Sequence, residues 1–148
     1  AQSMGIMLCG TVLGAKRGTL AVLLFITLTA LGLPLLSGGR GGLGIFASPS
    51  VGFIVGFPLA AYVAGLITTK LKMVKIFYSS LLGAIIGGIF VLYIPGIIGM
   101  SIILGKSISE ATVIALIYLP GDLIKAFLCA TLTQTLFKLR PADVLSRS

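Results

Sequence analysis

The sequence predicts an all-α integral membrane protein. Three observations predict it: too few charges for a soluble surface, apolar stretches of membrane-spanning length, and basic residues gathered on one side. Of 148 residues 57% are apolar, mean hydropathy is +1.19 and only 9% are charged. A soluble domain carries about 25% charged residues, so a water-soluble fold is excluded for want of polar surface. Twenty glycines and six prolines lie among the apolar residues, a poor composition for a soluble core.

Residues 18–39, 41–69 and 76–105 hold no charged side chain. Each is longer than the roughly 20 residues a helix needs to cross a hydrocarbon core of about 30 Å. About five transmembrane helices are predicted, over 2–14, 18–36, 50–69, 76–95 and 119–138. The first is short but is not a signal peptide, because it opens Ala1-Gln2-Ser3 without a basic n-region. It reads as a membrane helix entered part-way. The last is interrupted by Asp122 and Lys125.

Lys16 and Arg17 fall between crossings one and two, Lys70, Lys72 and Lys75 between three and four, and Lys138, Arg140 and Arg147 after the fifth. In an alternating topology these 8 of the 11 basic residues share one side, which the positive-inside rule makes cytoplasmic. The C-terminus is then expected inside and the N-terminus outside. A further N-terminal helix, absent from this sequence, would put both ends inside. The net charge of +8 is thus read as a topology signal in a multi-pass protein of a lipid bilayer, and no nucleic-acid partner is expected.

Two nucleotide-like patterns carry no such chemistry. Gly39, Gly41 and Gly44 satisfy G-x-G-x-x-G, but that fingerprint has meaning between a strand and a helix, and here it joins membrane helices. Gly99 to Gly105-Lys106-Ser107 has five residues between its glycines where a P-loop has four. The sequence has no histidine, and Cys9 and Cys129 are isolated in apolar stretches. No Ser-His-Asp or Cys-His constellation can form, no metal or cofactor is expected, and the chain reads as no enzyme.

The informative segment is Leu119-Pro120-Gly121-Asp122-Leu123-Ile124-Lys125. Proline suits the first position of a helix, so a helix is expected near Pro120 with Asp122 in its first turn. The i,i+3 spacing puts Asp122 and Lys125 on one face. Each charge costs about 2.5–3.5 kcal/mol at bilayer centre on the insertion scale, which points to a polar site turned away from lipid. Self-neutralisation near the outer interface is the alternative. The outer stretches 37–49 and 96–118 are expected to be irregular and to form a lid over the helix start, making 1–148 one substrate-binding domain. Small residues recur four apart at Gly10/Gly14, Gly52/Gly56, Ala61/Gly65, Gly83/Gly87 and Ala126/Ala130, a spacing that lets helices approach closely.

With these blocks in view, the sequence resembles the biotin-specific substrate-binding subunit (S component, the BioY family) of energy-coupling-factor transporters. Leu13-Gly14-Ala15-Lys16-Arg17-Gly18 matches that family's Leu-Gly-x-x-x-Gly turn, and Gly32-Leu33-Pro34, followed by the glycine-rich Gly38 to Gly42, matches its Gly-Leu-Pro-Val-Phe block. Pro49, Gly52, Gly56 and Phe57 match a Gly-Pro-Thr-Gly-Gly-Tyr segment with a trailing Gly-Phe, and Pro120-Gly121-Asp122 with Lys125 matches Pro-Gly-Asp-x-x-Lys. The resemblance implies a six-helix fold whose first helix is not in this sequence. It implies capture of biotin from outside a prokaryotic plasma membrane and toppling of the subunit to release it. It also implies a transmembrane coupling protein and two cytoplasmic ATPases as partners.

For biotin, Asp122 is expected to accept from the ureido N–H groups. Lys125 is expected to donate to the ureido oxygen or, less favourably, to neutralise the carboxylate. Ser37 with Ser48 or Ser50 would add hydrogen bonds, and Phe46, Phe53 and Tyr118 would pack on the thioether ring. The departures are Ser48-Pro49-Ser50-Val51-Gly52-Phe53 in the Gly-Pro-Thr-Gly-Gly-Tyr block, Phe25 where a tyrosine is usual, and Leu36 for a phenylalanine. Other readings are an S component for another small vitamin, a structural or assembly membrane protein whose pair only stabilises packing, and a transporter using Asp122 as a proton relay.

Overall fold

A computed structural model describes residues 2–36, 39–49 and 51–147. Each of the five predicted crossings is helical. The helices are α1 (Gln2–Leu13), α2 (Ala15–Ala30), α3 (Val51–Lys70), α4 (Ile76–Ile85), α5 (Leu92–Leu104), α6 (Ile108–Leu116) and α7 (Leu119–Leu139). By length and composition, Val51–Lys70 and Ile76–Leu104 can each cross a membrane. The pair α6–α7, bent by 52°, makes a third such span if taken as one. The helices α1 and α2, with 12 and 16 residues, are shorter.

The bundle is organised around α3, which packs against α1, α2, α4 and α5. Small residues make this possible, because without a hydrophobic driving force between helices, association depends on close backbone approach. A Cβ added to Gly87 would lie 2.6 Å from the Ala60 carbonyl oxygen, and one on Gly65 2.5 Å from the Ala15 nitrogen. A Cβ on Gly52 would overlap the Pro95 carbonyl oxygen. The four-residue spacings read from the sequence therefore face inward. Leucine, isoleucine and phenylalanine side chains such as Leu20, Phe90, Ile102 and Ile124 are exposed instead, as in a surface meant for lipid.

Two boundaries differ from the sequence expectation. The second helix stops at Ala30 rather than residue 36. The fourth crossing does not stop at 95: α4, a π-helical turn at Ile86–Val91 and α5 form one span to Leu104. The outer stretch 96–118 was expected to be irregular on account of Gly96, Gly99 and Gly105, but Gly96 and Gly99, with Pro95 before them, lie within α5. They are packing residues inside a helix. A Cβ on Gly99 would meet the Gly52 nitrogen at 2.6 Å, and one on Gly96 would meet the Phe53 ring at 2.5 Å. Proline within a membrane helix is tolerated where neighbours re-satisfy the backbone. Most of 96–118 is thus helix, turned at Gly105 and at Ile117–Tyr118.

Both nucleotide-like patterns resolve into turns. Gly105 takes the left-handed conformation (φ 66°) that ends α5, the commonest use of glycine after a helix. Ser107 caps α6 by accepting from the Glu110 amide at 3.2 Å. Gly39 and Gly42 also have positive φ, and the Gly42 amide donates to the Thr29 carbonyl at 2.7 Å, folding residues 39–42 back onto the end of α2. Gly14 (φ 87°) joins α1 directly to α2. Beneath it lies the C-terminal segment, with Val144 and Ser146 buried and the Ser146 hydroxyl donating to the Thr11 carbonyl. The basic α1–α2 turn and the basic C-terminal segment therefore meet at one end of the bundle.

Candidate ligand-binding site

At the other end, residues of α1, α3, α5 and α7, with Leu36, Arg40, Pro49 and Tyr118, line an open cavity of about 390 Å³. Its volume is within the ordinary range for small-molecule sites, which are mostly apolar with a few placed polar groups. One wall is apolar, with Phe53, Ile54, Phe57, Leu92 and Met100. The polar lining is Ser3, Tyr93, Asp122 and Lys125, with Arg40 from the loop.

The start of α7 sets the polar wall. Pro120 stands in the first turn, where its missing N–H leaves no bond unmade. Asp122 follows in that turn, where a carboxylate is favoured by the helix dipole. The residue is 6% exposed. Its Oδ2 accepts from the Tyr93 hydroxyl. Its Oδ1 accepts from the Ser3 hydroxyl at 3.4 Å and from the Lys125 ammonium at 3.4 Å. The Lys125 Nζ also donates to Ser3 Oγ at 3.3 Å. The donors come from α1, α5 and α7. A buried ion pair gains little net stability over apolar packing, whereas removing one partner is strongly destabilising. The arrangement places a carboxylate, bonded at both of its oxygens, on the lining of the cavity.

Of the residues expected from the sequence, Asp122, Lys125, Phe53 and Tyr118 line the cavity. Phe46 and Ser48 do not. Phe46 belongs to the 3-10 turn Leu43–Ala47, and the Ser48 hydroxyl donates to the Ile45 carbonyl at 2.6 Å, closing that turn. Ser37 and Ser50 lie outside the described residues. Sequence reasoning missed Tyr93, Ser3 and Arg40. Ser3 is 119 residues from Asp122 and carries no local signal. Arg40 is a lone basic residue outside the three groups expected on the cytoplasmic side. Tyr93 had one available sign, a phenol in a span without charges. Phe25, where a phenol was judged lost, packs against the core instead.

Fold and cavity together define a helical membrane protein built to hold a small molecule with both polar and apolar surfaces. The chain belongs to the BioY family, whose family model matches residues 1–142. It is 43% identical to the biotin transporter BioY of Rhodobacter capsulatus, over 99% of this chain and 82% of that protein. It is 47% identical to the biotin transporter BioY of Rhizobium etli, over 89% of this chain and 73% of that one. Among solved structures it is similar to the S-component for biotin from an ECF-type ABC transporter, with a TM-score of 0.87 and 32% identity, covering 93% of this chain and 74% of the other.

Proposed function

We propose that this chain captures biotin in a prokaryotic plasma membrane, as the substrate-binding subunit of an energy-coupling-factor transporter. The observation that carries this is the partnered Asp122–Lys125 pair on the polar wall of a mostly apolar cavity. Biotin needs that combination. Its ureido ring offers two N–H donors and a carbonyl acceptor, its thioether ring is apolar, and its valerate tail ends in a carboxylate. Asp122 accepts from the ureido N–H groups and Lys125 donates to the ureido oxygen. Phe53 and Tyr118 pack against the fused rings. Arg40, which lines the same cavity, supplies a cation for the carboxylate.

The chain acts with a transmembrane coupling protein and two cytoplasmic ATPases and contributes no ATPase site of its own. The site faces outward and the C-terminus lies in the cytoplasm. The positive-inside rule supports that orientation, since Lys16, Arg17 and the C-terminal basic residues lie at the end away from the cavity. A ligand cavity is what a pair serving only helix packing would not require.

Uptake of radiolabelled biotin by biotin-auxotrophic cells tests the assignment, with this chain expressed beside a coupling protein and its ATPases. Saturable uptake that excess unlabelled biotin suppresses, and that other small vitamins do not, is expected. Uptake that responds to another vitamin and not to biotin would move the assignment to that ligand. Uptake driven by a pH gradient without the ATPases would favour a proton relay.

A further inference from the structure

On the biotin reading, we infer that Tyr93 is a positioning residue. Its hydroxyl holds one oxygen of the Asp122 carboxylate, so that the carboxylate meets the ligand's N–H groups in a preset orientation.

A carboxylate has two oxygens and about four acceptor directions, and unrestrained it turns about its last bond. Here Oδ2 is held by Tyr93, while Oδ1 receives Ser3 and Lys125, each at 3.4 Å. The donors approach from separate helices, so the group cannot turn without losing a bond on each side. Of the three, only Tyr93 engages Oδ2, and it lines the cavity. An acceptor fixed before the ligand arrives spares the ordering that binding would otherwise have to supply.

Tyr93's own aim depends on a local irregularity. It is the second residue of α5, directly after the π-helical turn Ile86–Val91. A π turn spans an extra residue. The residues beyond it are rotated by about 100° from where an unbroken helix of 3.6 residues per turn would carry them. Without that turn the phenol would leave the cavity. The turn is anchored where Gly87 abuts the Ala60 carbonyl of α3 and Gly88 abuts Met7 of α1. The ring is fixed by an edge-to-face contact with Phe53, with centroids 6.1 Å apart and planes at 86°. A tyrosine that merely filled space would be served by any carbonyl as hydroxyl partner. This one is aimed, by a departure from helical register, at the buried carboxylate facing the cavity.

The test is calorimetric titration of the purified full chain with biotin, for wild type, Tyr93→Phe and Tyr93→Leu. Tyr93→Phe keeps the ring against Phe53 and removes only the hydroxyl. It is expected to raise Kd by about ten- to a hundred-fold, the range for a hydrogen bond to a charged group, with the stoichiometry unchanged. Tyr93→Leu is expected to bind about as weakly. Two results would overturn the assignment. One is a Tyr93→Phe variant with wild-type Kd beside a weakened Tyr93→Leu, which makes ring packing the role. The other is an unchanged Kd with a reduced competent fraction, which makes the role structural. If Tyr93→Phe does not fold, Tyr93→Gln, which keeps a donor, is compared with Tyr93→Leu, which is similar in size. Tighter binding by the glutamine variant supports the assignment, and equal binding overturns it. Absence of binding by the wild type would overturn the biotin reading and this assignment together. Wild-type binding with an indifferent Tyr93 overturns this assignment alone.

Discussion

Asp122 and Lys125 are a local feature: three residues apart on one helix, in a segment where any charge is expensive. That is why they could be read without a structure. Ser3 and Tyr93 reach the same carboxylate from 119 and 29 residues away, and nothing in their immediate sequence indicates the meeting. Ser48, one of the loop serines expected at the site, shows the opposite case. A hydroxyl in a loop has its own backbone within reach, and Ser48 bonds Ile45 as short polar side chains commonly do in turns. At this scale Asp122→Asn is expected to weaken biotin binding by about 2–4 kcal/mol, or roughly 30- to 1,000-fold, because it removes a charged acceptor and leaves Lys125 without its counter-ion. Equilibrium titration checks this. Ser48→Ala is expected to leave the affinity within about two-fold, since it disturbs only a turn worth about 0.5 kcal/mol.

Helices were legible from charge-free length, but their ends were not. Pro95, Gly96 and Gly99 are breakers by composition and contact residues by position. What decides between the two is whether a neighbouring backbone lies close enough to need the missing Cβ. Around α3 it does. Gly52→Leu would force the side chain into the backbone at Pro95. It is expected to cost about 3 kcal/mol, the upper part of the overpacking range, seen as a lower melting temperature in detergent. Gly5, with nothing within 4 Å of an added Cβ, gives the contrast. Gly5→Ala is expected to be neutral or to stabilise by up to about 1 kcal/mol through helix propensity alone. The C-terminal segment is a third case. Ser146 caps a carbonyl near the end of α1, where the last turn of a helix leaves carbonyls unpaired. Ser146→Ala is expected to lower stability by about 1 kcal/mol and to leave biotin affinity unchanged, which separates the two ends of the bundle experimentally.

At the scale of the whole molecule, the low charge and its one-sided placement made the membrane class legible. They did so because the bilayer constrains composition more tightly than water does. The cavity was legible only in part, at Asp122, Lys125, Phe53 and Tyr118, because it is bounded by five segments from across the chain. The orientation remains a prediction of charge placement. A cysteine replacing Lys106 is expected to react with a membrane-impermeant maleimide in intact cells, and one replacing Lys72 only after permeabilisation. The reverse pattern would invert the topology and turn the cavity toward the cytoplasm. The claim on which the rest depends is that the hollow beside Asp122 is a biotin site. Equilibrium binding of biotin to the purified full chain, wild type beside Asp122→Asn, tests it most directly. Saturable one-to-one binding by the wild type, severely weakened in a folded Asp122→Asn variant, is the predicted result. No binding by folded wild-type protein, or equal binding by both, would contradict it.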